Sequence, residues 1–115
     1  MGFDSGSLPT IIQDAETGNV NGIVLDCRGL GLLGIQGVAA DSWDGTLVFE
    51  SSIDNSNFVA HEGVQQDNGT PSTTDSGTTL NMIYYFDVSM VAFFRSRTSG
   101  RTAGSITVTA NGVAA

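Results

Sequence analysis

Hydrophobic and polar residues alternate along much of this chain with a period of two. In residues 105–110, Ile106 and Val108 alternate with Thr107 and Thr109. Successive side chains of an extended strand point to opposite faces of a sheet, so this segment predicts a strand with one buried face.

Residues 90–97 alternate in the same way. One face of this strand would carry Ala92, Phe94 and Ser96, and the other would carry Val91, Phe93, Arg95 and Arg97. Further strands are predicted from apolar or alternating runs at residues 22–27, 29–38, 45–51, 57–62 and 78–87. The run at 29–38 contains four glycines, and since each glycine costs a helix about 1 kcal/mol relative to alanine, we interpret it as a strand.

The segment from residue 43 to residue 60 predicts a β-hairpin. Its first strand, residues 45–51, is rich in β-branched and aromatic residues, and residues 58–60 resume an apolar run. Between them, residues 54–56 are Asp, Asn and Ser, which hydrogen-bond their own backbone and tolerate unusual φ angles. We expect Trp43, just ahead of the first strand, to anchor one end of the core.

Two polar segments predict connections rather than strands. Residues 64–77 form the longest predicted loop, and residues 98–104 form a turn. Loops longer than about 12 residues are usually functional or mobile. The segment 64–77 is therefore the first candidate for a contact surface.

About seven short strands at regular spacing predict an all-β fold, an antiparallel two-sheet β-sandwich of jelly-roll or immunoglobulin-like type with seven to eight strands. A partly closed barrel is the alternative. Residues 1–20 mix glycine and polar residues with few apolar positions, and Pro9 disfavours a central strand there. We therefore predict an extended N-terminal arm over residues 1–20, with at most one short edge strand, and a sandwich domain over residues 21–115.

Length and charge narrow the function classes. The 115 residues give room for one domain. The net charge is −8, from 12 acidic residues and 4 basic residues, all of them arginines. An acidic chain is a poor partner for phosphate backbones and for anionic membranes, so we expect neither nucleic-acid nor membrane binding. Lysine often protects exposed sheet edges, so a β protein without lysine must protect them with acidic residues, glycines and turns, or have them covered by a neighbouring subunit.

No set of residues indicates catalysis, a cofactor or a metal. Cys27 lies in a strand-like run and is expected to be a small buried apolar residue. His61 has no partner in sequence that would make it a site. Asp41, Asp44 and residues 54–57 offer oxygen ligands for Ca²⁺, but without the spacing of a calcium loop, and turn roles are commoner for such residues. The 12 carboxylates show no spacing that singles out an acid–base pair.

The strongest interaction candidates are arginines and aromatics in the C-terminal half. Arg95, Arg97 and Arg101 are natural partners for carboxylates in an acidic chain. Two interpretations stay open, an intrachain surface ion pair or a subunit contact in which arginine holds a carboxylate with two hydrogen bonds. Tyr84 and Tyr85 face opposite sides of a strand, so one of them is expected at the surface, where it suits a subunit interface or sugar stacking.

Two segments resemble small β-sandwich proteins of tailed bacteriophages. The first is the pattern W-x-G-T-h-x-F-E-x-S-x-D at residues 43–54, followed by Phe58; here h stands for a hydrophobic residue. The second is an aromatic-led, arginine-bearing run at residues 84–97, followed by G-x-h-x-V at residues 104–108. The resemblance covers residues 22–110 and implies a sandwich fold and a virion origin. This family includes capsid decoration proteins, tail or fibre accessory modules and carbohydrate-binding-like domains.

The resemblance implies a non-enzymatic structural protein of a phage virion. We expect a capsid decoration or cement protein that stabilises the shell through contacts with the major capsid protein or other virion proteins. By analogy with the threefold positions of icosahedral shells, we expect a homo-oligomer, specifically a trimer. The alternative is a tail or fibre accessory module that binds host-surface carbohydrate through exposed tyrosine and tryptophan.

Overall fold

A computed structural model of the protein describes residues 9–76 and 81–115. This part of the chain contains eleven β-strands and no helix, and hence no helix that could cross a membrane. In chain order the strands are β1 (Thr10–Glu16), β2 (Leu25–Asp26), β3 (Leu30–Ala40), β4 (Thr46–Ser52), β5 (Val59–Ala60), β6 (Gly63–Gln65), β7 (Pro71–Ser72), β8 (Thr74–Asp75), β9 (Asn81–Asp87), β10 (Phe93–Ser99) and β11 (Ser105–Ala114).

The strands form two antiparallel sheets that pack against each other. One sheet has six strands in the order β1-β11-β3-β9-β6-β7. The other has five strands, in the order β2-β10-β4-β5, with β8 paired to a second stretch of β4. The predicted two-sheet sandwich is confirmed. The strands are more numerous than predicted because β6, β7 and β8 are pairings of two or three residues that no local pattern marks.

The core between the sheets is built around three phenylalanines. The ring centroid of Phe86 lies 4.9 Å from that of Phe49 and 4.8 Å from that of Phe94, and all three side chains are fully buried. Phe86 belongs to the six-stranded sheet and the other two to the five-stranded sheet, so these ring contacts join the sheets. Ile106 and Val108 are buried in the same core, as their alternation predicted.

Trp43 is fully buried at one end of the core, as predicted. Two glycines leave room for it. A Cβ on Gly45 would lie 2.5 Å from the indole ring, and a Cβ on Gly104 would lie 2.4 Å from the Trp43 backbone. Gly104 also has a φ of +81°, which glycine adopts without a steric penalty. The Asp44 carboxylate closes this end by accepting a hydrogen bond of 2.8 Å from the backbone N–H of Thr102.

The predicted hairpin is formed by β4 and β5, which pair in antiparallel register. In its turn, the Asp54 carboxylate accepts hydrogen bonds from the backbone N–H groups of Asn57 (2.8 Å) and Ser56 (2.9 Å). These bonds hold the pKa of Asp54 well below its usual range. Asn55 has a φ of +62°, a conformation that asparagine tolerates. Asp54 and Asn55 therefore have the turn role that their residue types predict.

Several strand boundaries differ from the prediction. The strand predicted at 90–97 is β10, which begins at Phe93 and ends at Ser99. It extends past residue 97 because Thr98 pairs with Leu47 and its buried hydroxyl donates to the Gly18 carbonyl (2.6 Å). The strand predicted at 22–27 is reduced to β2, Leu25–Asp26. The strand predicted at 78–87 is β9 from Asn81 onward, and residues 78–80 lie outside the described residues.

The long loop predicted at 64–77 is wrong over its described part. Val64 of β6 pairs with Tyr85, and Thr74 of β8 pairs with Val48. The segment is therefore tied to both sheets. Its prediction failed because the residues are polar and their partners are distant in sequence. Residue 77 lies outside the described residues.

Within the predicted N-terminal arm, Thr10–Glu16 forms β1. The prediction allowed for one short edge strand in this arm. β1 pairs with β11 and has register shifts between Ile11 and Gln13 and between Gln13 and Glu16. Ile12 and Gln13 are consecutive, yet both are buried. The irregular register explains this, since regular alternation would turn one of them to solvent. Residues 1–8 lie outside the described residues.

Candidate interaction surfaces

The outer face of the six-stranded sheet carries exposed apolar side chains among polar ones. We call it the six-stranded face and define it by the outward residues of β11, β3 and β9, with Ile11 of β1 and Val64 of β6: Thr107, Thr109, Asn111, Val113, Leu32, Gly34, Gln36, Val38, Asn81, Ile83, Tyr85 and Asp87. Leu32 and Val113 are paired directly across two strands, and each is 54% exposed. Tyr85 and Val64 form a second exposed cross-strand pair. Such a patch on a sheet is typical of an interaction surface.

The six-stranded face so defined contains no basic residue and one carboxylate, Asp87; Asp14, which is exposed on the edge strand β1, lies outside this definition. Asp87 accepts hydrogen bonds from the hydroxyl (2.6 Å) and the backbone N–H (3.0 Å) of Ser89. These bonds lower the pKa of Asp87. The carboxylate therefore already has hydrogen-bond partners within the chain.

A shallow groove of about 270 Å³ crosses the middle of this face. It lies over Gly34, and a Cβ there would meet only the Asn111 carbonyl, at 3.7 Å. Its walls carry the ring of Tyr85 and the polar side chains of Gln36, Thr109 and Asn111. The groove combines an exposed aromatic ring with amide and hydroxyl groups and has no charged lining residue.

The outer face of the five-stranded sheet carries a charged cluster. Glu50 and Arg95 are cross-strand partners, with the Arg95 Nε 2.9 Å from the Glu50 Oε1. The Arg97 Nε lies 3.4 Å from the same oxygen. The guanidinium carbon of Arg95 lies 3.9 Å from the ring centroid of Phe58, a cation–π contact. We call Glu50, Phe58, Arg95 and Arg97 the arginine cluster.

Arg28 is the other arginine near this face. It forms an ion pair with Asp26, and its guanidinium carbon lies 5.5 Å from the ring centroid of Phe93. The bonds from Arg28 lower the pKa of Asp26 to about 2. Arg101 lies elsewhere, in the turn before β11, where its Nε donates to the Gly104 carbonyl (2.9 Å).

The structure brings together part of the predicted arginine set. Arg95 and Arg97 share one carboxylate, which is the intrachain pairing that the sequence left open, while Arg101 is separate from them. Their use as a subunit contact stays a prediction. Of the tyrosine pair, Tyr84 is buried and Tyr85 is 47% exposed, so Tyr85 is the one available to a partner.

Tyr84 instead links the two sheets. Its hydroxyl donates to Asp75 of β8 (2.7 Å) and accepts from the Gln65 side chain (2.9 Å). Burial, with the hydrogen bond to Asp75, raises the pKa of Tyr84 to about 12. The phenol therefore stays protonated at neutral pH and acts as a structural donor.

The other candidate reactive side chains, Cys27 and His61, are packed against the rest of the fold. Burial raises the pKa of the Cys27 thiol to about 12, so the reactive thiolate is scarce at neutral pH. The His61 Nδ1 lies 2.8 Å from the Ser51 hydroxyl, and its ring packs against Phe86 and Phe94. In residues 9–76 and 81–115, no three His, Cys, Asp or Glu side chains come together as metal ligands would.

The sequence did not predict the six-stranded face. Leu32, Gly34, Gln36 and Val38 lie in the run at 29–38, which is apolar at most positions and so is typical of a strand buried on both faces. The available signal in this run was the alternation of Leu33 and Ile35 with Gly34 and Gln36.

No family model and no curated protein match this chain. Its fold is similar to two solved structures. The SPBc2 prophage-derived protein YomS has a TM-score of 0.80 and 16% identity, over 90% of this chain and 88% of YomS. The PBSX exported protein XepA has a TM-score of 0.77 and 15% identity, over 91% of this chain and 37% of XepA. At such low identity, the likeness establishes a shared fold.

Proposed function

We propose that this protein is a non-enzymatic structural protein of a phage particle, specifically a capsid decoration or cement protein that acts through protein–protein contacts. Its fold is similar to that of a prophage-derived protein over 88% of that protein, which supports a phage origin. The sequence pattern at residues 43–54 supports the same assignment.

The observation that carries this proposal is the six-stranded face. The chain has a net charge of −8, so contact between copies is opposed wherever carboxylates meet. On the six-stranded face, apolar residues such as Leu32, Val113 and Tyr85 would meet instead. Burial of these side chains would stabilise a contact without bringing unpaired charges together.

The size of this face suits a repeated contact. From β1 to β6 this face spans four strand spacings of about 4.8 Å, and over about seven residues of 3.4 Å each its area is roughly 450 Å². A stable interface buries about 800 Å² per partner. One such contact is therefore weak, and many equivalent contacts on a particle would add strength through avidity. The partners we propose are further copies of this chain, as a homo-oligomer such as a trimer, and the major capsid protein or other virion proteins.

Quantitative mass spectrometry of gradient-purified particles of the encoding phage tests this function. We expect a fixed copy number of the chain per particle. Leu32→Glu places a charge on the six-stranded face and should reduce that copy number at least about tenfold.

Met90→Glu is the matched control for the particle experiment, because Met90 is 84% exposed and is not part of the six-stranded face. It should leave the copy number unchanged. Absence of the wild-type chain from purified particles would contradict the proposal, as would equal loss with both variants.

The groove over Gly34 favours a second candidate function, a tail or fibre accessory module that binds host-surface carbohydrate. A sugar ring could stack on Tyr85 while Gln36 and Asn111 bond its hydroxyls. The tryptophan expected to take part is excluded, because Trp43 is fully buried.

Saturation-transfer NMR against a panel of bacterial surface glycans tests the carbohydrate function. We expect a bound glycan to lose its signal with Tyr85→Ala and to retain it with Met90→Ala. Lack of saturation transfer from wild-type protein to any glycan in the panel would remove this candidate.

A further inference from the structure

We propose that Arg95 and Arg97 form a binding site for a carboxylate that a protein partner supplies from an aspartate or glutamate side chain. The site lies on the outer face of the five-stranded sheet, opposite the six-stranded face. The inference goes beyond the proposed function, because it holds whether or not the protein belongs to a virion.

The arginine cluster carries more positive than negative charge. Two guanidinium groups face one carboxylate, and in the described part of the chain the ion pairs of Arg95 and Arg97 go to Glu50 alone. The cluster therefore keeps one uncompensated positive charge on a molecule whose net charge is −8. Arg28 differs, because Asp26 matches it one to one. A single added carboxylate would balance the arginine cluster.

The geometry of the arginine cluster leaves hydrogen-bond donors on one side of the sheet. Arg95 and Arg97 are two positions apart on β10, so their side chains lie on the same face of the sheet. The hydrogen bonds to Glu50 use the Nε atoms of both arginines. The terminal guanidinium nitrogens have no partner among the described residues and remain available as a planar set of donors. Such donors bind a carboxylate with paired hydrogen bonds.

Contacts within the chain hold the Arg95 donors in place. The side chains of Glu50 and Arg95 are 13% and 19% exposed, and Phe58 covers the Arg95 guanidinium. Arg97 is more open, at 36%. Because Glu50 and Phe58 already restrict Arg95, less side-chain entropy is lost when a ligand binds.

The ligand class follows from the surroundings. A monoanion matches the single uncompensated charge of the cluster. Phosphate polymers are disfavoured by the acidity of the whole chain. Val48, the cross-strand partner of Arg97, and Phe58 add apolar surface beside the donors. This surface suits the methylene groups of an acidic side chain.

NMR of ¹⁵N-arginine-labelled protein tests the site directly. The probe is N-acetylglutamic acid α-amide, a capped glutamate side chain, titrated at constant ionic strength. We expect the Nε–H signals of Arg95 and Arg97 to shift together along one saturable curve. Arg97→Gln should weaken binding about fivefold to tenfold.

Further variants separate binding from a structural ion pair. Arg97→Lys keeps the charge but loses the planar donors, so it should also weaken binding. Arg28→Gln, on the same sheet face, should leave the binding curve of the capped glutamate unchanged. If Arg95 and Arg97 form only a structural ion pair with Glu50, titration with the capped glutamate should shift their signals neither in the wild type nor in these variants.

A second arm identifies the source of the carboxylate. If another copy of the chain supplies it, the Arg95 and Arg97 signals of the probe-free protein should shift as its concentration rises to about 1 mM, which detects a contact with a Kd near that value. A shift with the probe alone indicates a different protein partner.

The proposal is overturned if the two signals move linearly and no more than that of Arg28. It is also overturned if inorganic phosphate binds more tightly than the capped glutamate at the same ionic strength. In the first case the arginines only attract anions non-specifically, and in the second the site takes a different ligand class.

Discussion

The side-chain oxygen of Gln13 accepts a hydrogen bond of 2.6 Å from the hydroxyl of Ser96 inside the core. Gln13 is 3% exposed and Ser96 is fully buried. Gln13 belongs to β1, at the edge of the six-stranded sheet, and Ser96 belongs to β10 of the other sheet. This polar pair therefore joins the two sheets and fastens the edge strand β1 to the sandwich.

Gln13→Ala should lower the free energy of unfolding by roughly 1–3 kcal/mol, because the buried Ser96 hydroxyl would lose its acceptor. Asp14→Ala, at the exposed neighbouring position, should change it by less than about 0.5 kcal/mol. Urea unfolding of both variants measures the difference. Equal stabilities would show that β1 contributes nothing through this hydrogen bond.

Gly104→Ala should be far more destabilising than Gly69→Ala. Both glycines have positive φ, of +81° and +71°, and a left-handed conformation costs an alanine about 1–2 kcal/mol. A Cβ on Gly69 would meet nothing within 4 Å, whereas one on Gly104 would lie 2.4 Å from the Trp43 backbone. We expect a loss above about 3 kcal/mol for Gly104→Ala in chemical denaturation. Similar losses for the two variants would contradict the close contact.

Trp43→Ala should lower the free energy of unfolding by about 3–5 kcal/mol, because it leaves a large cavity at one end of the core. Trp43→Phe should cost less, since among the described residues the indole N–H has no acceptor to lose. Thermal unfolding compares them. A shift in midpoint below about 2 °C for Trp43→Ala would contradict the anchoring role.

Stability should fall as the pH is lowered through 6.5 because of His61. Burial lowers the pKa of His61 below its ordinary value of 6.5, against a smaller opposing effect of the Asp87 backbone and charge. Below pH 6.5 the unfolded chain therefore binds a proton that the folded chain does not, and unfolding is favoured. Above pH 6.5 both states are neutral at this residue and the penalty disappears.

The measurement for His61 is a urea unfolding series between pH 7.5 and 5.5, above the range in which the carboxylates titrate. The wild type should lose stability toward the lower pH, and His61→Gln should show a flatter profile. A steeper loss in His61→Gln than in the wild type would mean that another group governs this pH range.

The parts of the fold that follow from local pattern could be predicted from the sequence. The alternation in β11 and the turn at Asp54 specify a strand and a reversal without knowledge of distant residues. β8 could not be predicted, because Thr74–Asp75 is polar and becomes a strand by pairing with β4. β1 was recognised only as an option, because its buried Gln13 is polar and its register is irregular.

The candidate surfaces could also be predicted only in part from the sequence. The period of two places Arg95 and Arg97 on one face, so their proximity was predictable. Their shared partner Glu50 was not predictable, because its position depends on the register between β4 and β10. Glu50 and Arg95 are 45 residues apart in the sequence. The exposure of Leu32 depends on the six-stranded face having no covering layer among the described residues, which an apolar run cannot reveal.

Sedimentation velocity across a range of protein concentrations tests most directly whether the six-stranded face is a contact surface between copies. Because one such contact is weak, we expect the wild type to form a larger species only toward the highest concentrations, Leu32→Glu to remain a monomer throughout, and Met90→Glu to behave as the wild type. A wild-type chain that remains a monomer at every concentration, or a Leu32→Glu variant that associates as well as the wild type, would contradict the account.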